Sequence, residues 1–237
     1  MKKYWERILP KPNIRTILDM EGIFYRSPEL DPSSHLYYMY RDLWKSKEDH
    51  IWLEQNHLRY DITVIPPKLI NGEYTKTKGH YHPKNLAGVS YPEVYEVLSG
   101  FAYYQLQRRD HRDVIIVPAR PGDIIFIPPE YGHVTINPGY NELVMANIVS
   151  TEFSSEYTEI ERLHGAAYYY MKKEGWIPNP NYESHIPIHI RLPIPIPDIG
   201  IAKGVSLYEM IGSSCNKLDI LNHPENYLNI LEKLFDI

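Results

Sequence analysis

The sequence has very little cysteine, no long apolar run and no concentration of positive charge. Its single cysteine, Cys215, excludes an intramolecular disulfide framework and is typical of a reducing compartment. No stretch approaches the roughly 18 consecutive apolar residues of a membrane-spanning helix. The N-terminal segment also lacks the apolar core of a signal peptide. Together these absences predict a cytoplasmic protein.

The charge distribution argues against nucleic acid as a partner. The formal net charge is −5 over 237 residues. The densest basic run lies at residues 107–112, where Asp110 interrupts it. A nucleic-acid interface normally requires a continuous basic patch. The length is sufficient for one domain with a sizeable core, or for one domain with an appendage.

The central part of the chain, residues 58–150, alternates short apolar runs with glycine and proline. This pattern predicts an all-β fold, either a barrel or a double-sheet jelly roll. Ser99 and Gly100 separate two alternating runs and predict a hairpin there. The predicted strands are residues 58–65, 94–98, 101–107, 114–117, 124–127, 134–136 and 143–149.

The flanking segments have different patterns. Residues 37–43 fit a strand or a helix equally well. Residues 155–173 place apolar side chains at helical spacing and predict a helix. Alternating prolines at 187–199 predict an extended strap or an edge strand, and the last thirty residues predict an amphipathic tail helix.

These patterns suggest a division of the chain into three parts. The first, residues 1–57, is an N-terminal arm with initial strands that pack on the barrel. The second, residues 58–174, is the barrel with a flanking helix. The third, residues 175–237, is the proline-rich strap with the tail helix.

Four side chains in the β-rich region have the types and spacing of metal ligands. His80 and His82 project to the same side if their segment is extended. Glu93 begins a predicted strand, and His133 follows a Pro-Pro turn. Imidazole and carboxylate together suit several divalent ions, and four ligands leave two positions of an octahedron open. A lone His-x-His is more often incidental, so the hypothesis depends on all four residues.

Several motifs resemble those of known families. Two sets resemble the paired motifs of the cupin superfamily, although Glu93 lies eleven positions after His82, farther than is usual there. Others resemble those of the archaeal cupin-type glucose-6-phosphate isomerases over residues 15–170. The cupin-like motifs are GHYH (79–82), EVY (93–95), LSG (98–100), PGDIIFIPP (121–129) and His133 with Asn137. The isomerase-like motifs are DMEGIF (19–24), TKGHYHPK (77–84), EVY and PPEYGHVTIN (128–137).

The resemblance implies a double-stranded β-helix barrel, a homodimer and one divalent metal ion per subunit. It also implies interconversion of glucose 6-phosphate and fructose 6-phosphate. The implied metal ligands are His80, His82, Glu93 and His133. The implied phosphate-binding residues are Thr63, Thr77 and Gly79. Tyr95 corresponds to an active-site tyrosine, and Tyr157 is expected at the rim of the site.

The chemistry of isomerisation assigns roles to these residues. Moving hydrogen between C1 and C2 requires polarised oxygens, which a divalent cation supplies, and a base near both carbons. Glu93 is the nearest candidate base, and Tyr95 faces the same side and can orient a sugar hydroxyl. An enediol route and a direct hydride shift both remain open. The ligand set fits iron, manganese, nickel, cobalt or zinc equally.

Two departures from the family pattern leave the substrate open. Val149 and Ser155 stand where the resemblance implies a tyrosine and a histidine near the sugar. Two other functions are therefore alternatives to the isomerase: a non-catalytic protein that binds sugar phosphates, and a cupin dioxygenase that uses iron at the same ligands.

Overall fold

The computed structural model describes residues 5–183, 186–202, 204–213 and 217–235. Cys215 therefore lies outside the described residues. The described residues form β1 (Asn13–Thr16), β2 (His35–Tyr40), β3 (Leu58–Ile65), β4 (Leu69–Ile70), β5 (Glu73–Tyr74), β6 (Glu93–Ser99), β7 (Ala102–Arg108), β8 (Val114–Ala119), β9 (Ile124–Ile127), β10 (Tyr131–Ile136), β11 (Leu143–Ser150), β12 (Tyr168–Met171), β13 (Gly175–Pro178) and β14 (Ile188–Ile190).

Helices are short in the described part of the chain. The α-helices are α1 (Lys47–Gln55), α2 (Thr158–Arg162) and α3 (Leu228–Leu234). The 3-10 helices are Leu18–Met20, Pro197–Ile199, Leu207–Met210, Lys217–Leu221 and Pro224–Tyr227. No helix among these residues is both long and apolar enough to cross a bilayer.

The strands form two main sheets and a smaller third one. The six-stranded sheet has the order β1-β2-β3-β11-β6-β9. The second sheet has the order β10-β7-β8-β14, and the third has the order β13-β12-β5-β4. Apolar side chains from the first two sheets meet in one buried cluster, which includes Val97, Leu106, Ile115 and Ile125. The jelly-roll architecture predicted from the sequence is confirmed.

Strand β3 shows how alternation divides the two faces of the six-stranded sheet. Leu58, Tyr60, Ile62 and Val64 all point to its outer face and join a second apolar cluster. This cluster also contains Trp5 from the N-terminal segment and many residues beyond position 195. The residues between them on β3 point to the inner face, where a cavity opens. The predicted strand at 58–65 and its apolar side are both confirmed.

The predicted hairpin at Ser99 and Gly100 is wrong. Strand β6 pairs with β11 and β9, whereas β7 pairs with β10 and β8 in the opposite sheet. The turn therefore carries the chain from one sheet to the other. Gly100 has φ +86°, and a Cβ on it would lie 2.7 Å from the Glu142 carbonyl oxygen. Local alternation does not reveal which sheet each strand joins.

The predicted helix at 155–173 is also wrong over most of its length. Only the five residues of α2 are helical, and a strand, β12, follows at Tyr168–Met171. The chain turns at His164 and Gly165, both with positive φ. A Cβ at Gly165 would lie 2.9 Å from the Ile23 carbonyl oxygen. Three consecutive tyrosines then favour an extended backbone.

The other flanking segments with sequence-based predictions are residues 37–43, the proline-rich strap and the tail. Residues 37–40 of the ambiguous stretch at 37–43 belong to strand β2, and the rest of the stretch is neither strand nor helix. In the strap, β14 pairs in parallel with β8 at the edge of the second sheet, as predicted for an extended segment. The tail helix is confirmed but spans only the seven residues of α3, where Leu231 is buried and Leu228 is 41% exposed.

Candidate active site

A cavity opens between the inner face of the six-stranded sheet and the segment that carries His80 and His82. It encloses about 640 Å³ of empty space, including its open mouth. Alternate residues of β2, β3, β11 and β6 line one wall, because side chains two apart share a face. His133 of β10 reaches the cavity from the opposite sheet. Every site residue predicted from the sequence lies along its lining.

The four predicted metal ligands converge at this cavity. Glu93 is the first residue of β6, and His133 lies within β10. His80 forms an isolated bridge with His133, in which the His133 amide donates to the His80 carbonyl oxygen at 3.0 Å. One ligand atom from each of His80, His82, Glu93 and His133 lies within 4.8 Å of the others.

The contacts inside this cluster fit a cation. The Oε2 atom of Glu93 lies 3.4 Å from Nε2 of His82 and 3.4 Å from Nε2 of His133. Glu93 is 3% exposed, yet neither its Oε2 nor the His82 Nε2 has a hydrogen-bond partner in the structure. Buried polar atoms without partners are costly and rare. A divalent ion would satisfy both, since imidazole nitrogen and carboxylate oxygen are common ligands of such ions.

The electrostatics favour the protonation states that metal binding needs. Burial, followed by the charges of Glu93 and His82, sets the pKa of His133, and the net effect lowers it to about 4. Burial and the neighbouring imidazoles likewise lower the pKa of His80 well below its usual value. Burial opposes ionisation of Glu93, but the nearby imidazoles of His82 and His133 bring its pKa below the usual value. Neutral imidazoles and an ionised carboxylate are the metal-binding forms.

Neighbouring groups fix the orientation of these ligands. The Nδ1 atom of His82 lies 2.8 Å from the Tyr91 carbonyl oxygen. The Asn147 side-chain amide donates to Oε1 of Glu93 at 2.7 Å, which leaves Oε2 facing the cluster. Asn147 was not predicted from the sequence. Its position on β11, paired with Tyr95 on β6, places it on the cavity face, and only the pairing of the strands reveals this.

Tyr95 lies beside the cluster, as predicted from its position two residues after Glu93. Its hydroxyl is 3.0 Å from Nε2 of His133. Burial and the charge of Glu93 raise the pKa of Tyr95 well above its usual value. The phenol therefore stays protonated and can act as a hydrogen-bond donor.

The three predicted phosphate-binding residues line the same cavity. The Thr77 Oγ1 atom accepts a hydrogen bond from the Thr135 amide at 2.9 Å, so its hydroxyl proton is directed elsewhere. The Gly79 amide donates to no partner among the described residues. Gly79 has φ +79°, and a Cβ there would lie 2.6 Å from Val134. Thr63 faces the cavity from β3. We call Thr63, Thr77 and Gly79 the oxyanion cradle.

Two further sets of residues line the cavity. Val149, Ser155 and Tyr157 lie there, as expected from the sequence. Four cationic side chains of the lining were not predicted. Three of them are distant in sequence from the predicted residues, and the fourth, Lys78, lies between Thr77 and Gly79. The four are Arg15, Arg41, Arg59 and Lys78.

The chain is similar to known proteins over much of its length. Residues 18–186 match the family model described as glucose-6-phosphate isomerase (GPI). The chain is 29% identical over 159 residues to the glucose-6-phosphate isomerase of Pyrococcus abyssi, covering 63% of this chain and 76% of that protein. It is 28% identical over 157 residues to the glucose-6-phosphate isomerase of Thermococcus litoralis, covering 63% and 75%.

The solved structures with similarity to this chain include the oxalate decarboxylase of Bacillus subtilis at pH 4.6, which is 17% identical to it. The TM-score is 0.38, and the match covers 55% of this chain and 29% of that one. The family match spans well over half of the chain. Its own sheets and ligand atoms define a jelly-roll protein with a His/Glu cluster suited to a metal ion. It belongs to the glucose-6-phosphate isomerase family.

Proposed function

We propose that this protein interconverts glucose 6-phosphate and fructose 6-phosphate with a divalent ion held by His80, His82, Glu93 and His133. The observation that carries the proposal is the convergence of two groups of residues on one cavity. The four ligand atoms lie within 4.8 Å of one another, and the oxyanion cradle lies along the same lining. A sugar phosphate needs a metal ion at its C1 and C2 oxygens and hydrogen-bond donors at its phosphate.

The oxyanion cradle would bind the phosphate group. The Thr77 hydroxyl proton and the Gly79 amide are available as donors, and Thr63 adds a second hydroxyl. Because Gly79 has no side chain, the phosphate can approach the backbone closely. Arg15 supplies positive charge along the same lining, whereas the ammonium of Lys78 is paired with Glu161 at 2.7 Å. Charge-assisted hydrogen bonds to phosphate are stronger than neutral ones.

The other end of the sugar would lie at the His/Glu cluster. A bound divalent ion there would polarise the C1 and C2 oxygens and acidify the hydrogen on the adjacent carbon. In an enediol route Glu93 is the nearest base. Because Asn147 holds its Oε1, its Oε2 would have to leave the ion to take the proton. Tyr95, which stays protonated, would donate to a sugar oxygen.

Solvent deuterium distinguishes the two chemical routes. In an enediol route Glu93 removes the carbon-bound hydrogen as a proton, which exchanges with solvent. In a hydride shift the hydrogen passes between carbons and is retained. Conversion of fructose 6-phosphate in D₂O, followed by NMR of the product at C1 and C2, reports which occurs. Deuterium in the product supports the enediol route, for which Glu93 is the nearest base. Full retention of the hydrogen supports the hydride shift, in which no base acts at carbon.

The nature of the ion and the assembly state are further parts of the proposal. Iron, manganese, nickel, cobalt and zinc all suit three imidazoles and one carboxylate. Reloading stripped protein with each ion and measuring conversion ranks them. A homodimer is proposed from the family resemblance, and the exposed apolar side chains of Ile190 and Leu192 on the strap offer contact area. Light scattering coupled to size exclusion tests it.

A further inference from the structure

Three charged side chains on the inner face of the six-stranded sheet have no role in the function proposed above. Arg41, Asp61 and Arg59 line the same cavity as the His/Glu cluster and the oxyanion cradle. Asp61 and Arg59 lie on β3, and Arg41 directly follows β2. We call these residues the Arg41–Asp61–Arg59 cluster.

The carboxylate of Asp61 is fully engaged within the protein. Its side chain is only 4% exposed. Both of its oxygens lie 2.9 Å from Nε of Arg59, and Nη1 of Arg41 lies 3.2 Å from Oδ2. The backbone amide of Asp42 donates to Oδ1 at 2.9 Å. Asp61 therefore has little capacity left for a ligand and instead fixes two guanidinium groups in place.

The cluster has an uncompensated positive charge. Two guanidinium groups share one carboxylate, and both arginine side chains remain partly exposed, at 30% for Arg59 and 37% for Arg41. The terminal Nη1 and Nη2 atoms of Arg59 make no hydrogen bond to any residue that the structure describes. A fixed guanidinium with free N–H groups suits a carboxylate or a phosphate.

The register of the strands places this cluster away from the oxyanion cradle. Thr63 and Arg59 share one face of β3, four residues apart, so their Cα atoms are about 13 Å apart. Arg59 is paired directly with Val149 on β11. The side chain of Val149 cannot form hydrogen bonds. In this pair of residues, the guanidinium of Arg59 is therefore the group that can bind a polar ligand. A six-carbon chain with a group at each end can extend between Thr63 and Arg59.

We propose that the Arg41–Asp61–Arg59 cluster is an anion subsite that recognises an acidic group at the C1 end of a sugar phosphate. The ligand class is a phosphorylated six-carbon sugar derivative with a second acidic group, either a carboxylate or another phosphate. The inference rests on the proposed function, because the oxyanion cradle must hold the first phosphate. Such compounds would compete with the isomerase substrate.

The test compares ligands that differ only in the C1 group, on the full-length metal-loaded protein. Isothermal titration calorimetry would measure glucitol 6-phosphate, 6-phosphogluconate and glucitol 1,6-bisphosphate, which carry a hydroxyl, a carboxylate and a phosphate there. The bound ion also attracts acidic groups, so the informative quantity is the affinity ratio of acidic to neutral ligand. We expect Arg59→Gln to lower this ratio about tenfold while the affinity for glucitol 6-phosphate changes little.

Two controls separate recognition from structural support. Arg120→Gln removes a guanidinium at an exposed position that does not line the cavity, and it should leave the ratio unchanged. Arg59→Lys keeps the charge beside Asp61 but removes the planar fork, so it should retain the fold and lower the ratio. Where Arg59→Gln does not fold, Arg41→Gln provides the same comparison. The ratios with carboxylate and with phosphate show which acidic group the subsite prefers.

The outcomes distinguish this inference from the proposed function. A wild-type protein that binds none of the three ligands contradicts the proposed function and the subsite together. A wild-type protein that binds glucitol 6-phosphate, with an affinity ratio unchanged in folded Arg59→Gln and Arg41→Gln, overturns the subsite alone. In that case the two arginines serve only to neutralise Asp61.

Discussion

At the scale of single residues, the two carboxylate oxygens of Glu93 have different surroundings. Oε1 accepts a hydrogen bond from Asn147, whereas Oε2 faces two imidazoles without a hydrogen bond. Groups that orient a metal ligand commonly contribute tenfold or more to metal affinity. Asn147 is in this sense a positioning residue, since it acts through Glu93.

Replacing Asn147 with alanine should therefore weaken metal binding. We expect the metal dissociation constant of Asn147→Ala to rise roughly tenfold, because the carboxylate loses the donor that fixes its rotamer. Competition with a chromophoric chelator measures this without any activity assay. Asn141→Ala, at an exposed loop position, is the matched control. Equal metal affinities in Asn147→Ala and in wild type would exclude the positioning role.

His133 provides a prediction about pH. Its pKa is about 4 in the folded protein, below the value of 6.5 for an ordinary histidine. The unfolded chain therefore takes up a proton at this residue as the pH falls below 6.5, while the folded chain resists it until about pH 4. The folded state of metal-free protein should lose stability over this interval.

Comparison with a variant isolates this contribution. Between pH 6.5 and 4, the unfolding free energy of stripped wild-type protein should fall by about 1–3 kcal/mol more than that of His133→Gln. Urea unfolding at several pH values gives both curves. Parallel curves would mean that His133 is not held neutral by burial.

At the scale of secondary-structure elements, the segment from Thr77 to His82 joins the oxyanion cradle to the His/Glu cluster. Gly79 allows it to run close to β10, since a Cβ would lie 2.6 Å from Val134. Gly88 has a similar positive φ but nothing within 4 Å of its hypothetical Cβ. The two glycines therefore separate the cost of backbone conformation from the cost of a clash.

This pair gives the third prediction. Gly88→Ala should cost only about 1–2 kcal/mol for the left-handed backbone. Gly79→Ala should cost more and should also raise the KM for fructose 6-phosphate, because the segment must move away from β10. Thermal unfolding and steady-state kinetics on both variants provide the measurements. Indistinguishable stability and KM in the two variants would contradict the close approach.

The sequence predicted elements well where alternation alone decides the structure. The predicted strand at 58–65 matches β3, and the metal-ligand spacing led to four residues that do converge. The hairpin at Gly100 and the helix at 155–173 failed because tertiary contacts decide both. Asn147, Arg41 and Arg59 were missed for the same reason: they join the site through strand pairing, and the sequence does not state that pairing.

At the scale of the whole molecule, the C-terminal residues cover the outer face of the six-stranded sheet. Leu207, Leu218 and Leu221 pack with Leu58 and Ile62 of β3 in one apolar cluster. The carboxylate of Glu96 on β6 also accepts a hydrogen bond from the Leu207 amide at 2.8 Å. The inner face of the same strands carries the cavity, so this layer supports the wall of the site.

A substitution within this layer should therefore destabilise the protein. Leu221 is completely buried, and Leu221→Ala should lower the unfolding free energy by about 2–5 kcal/mol. Leu228 is 41% exposed on α3, and Leu228→Ala should have a much smaller effect. Denaturant unfolding compares the two. A similar small loss in both variants would show that the C-terminal residues are not part of the cooperative core.

The measurement that bears most directly on the proposed function is fructose 6-phosphate conversion by protein stripped with a chelator and then reloaded with single divalent ions. We predict that conversion disappears on stripping, returns with at least one ion, and is abolished in His80→Ala. Absence of conversion with every ion, in protein shown to hold one ion per chain, would contradict the isomerase function. Binding of fructose 6-phosphate without conversion would then indicate a non-catalytic protein that binds sugar phosphates.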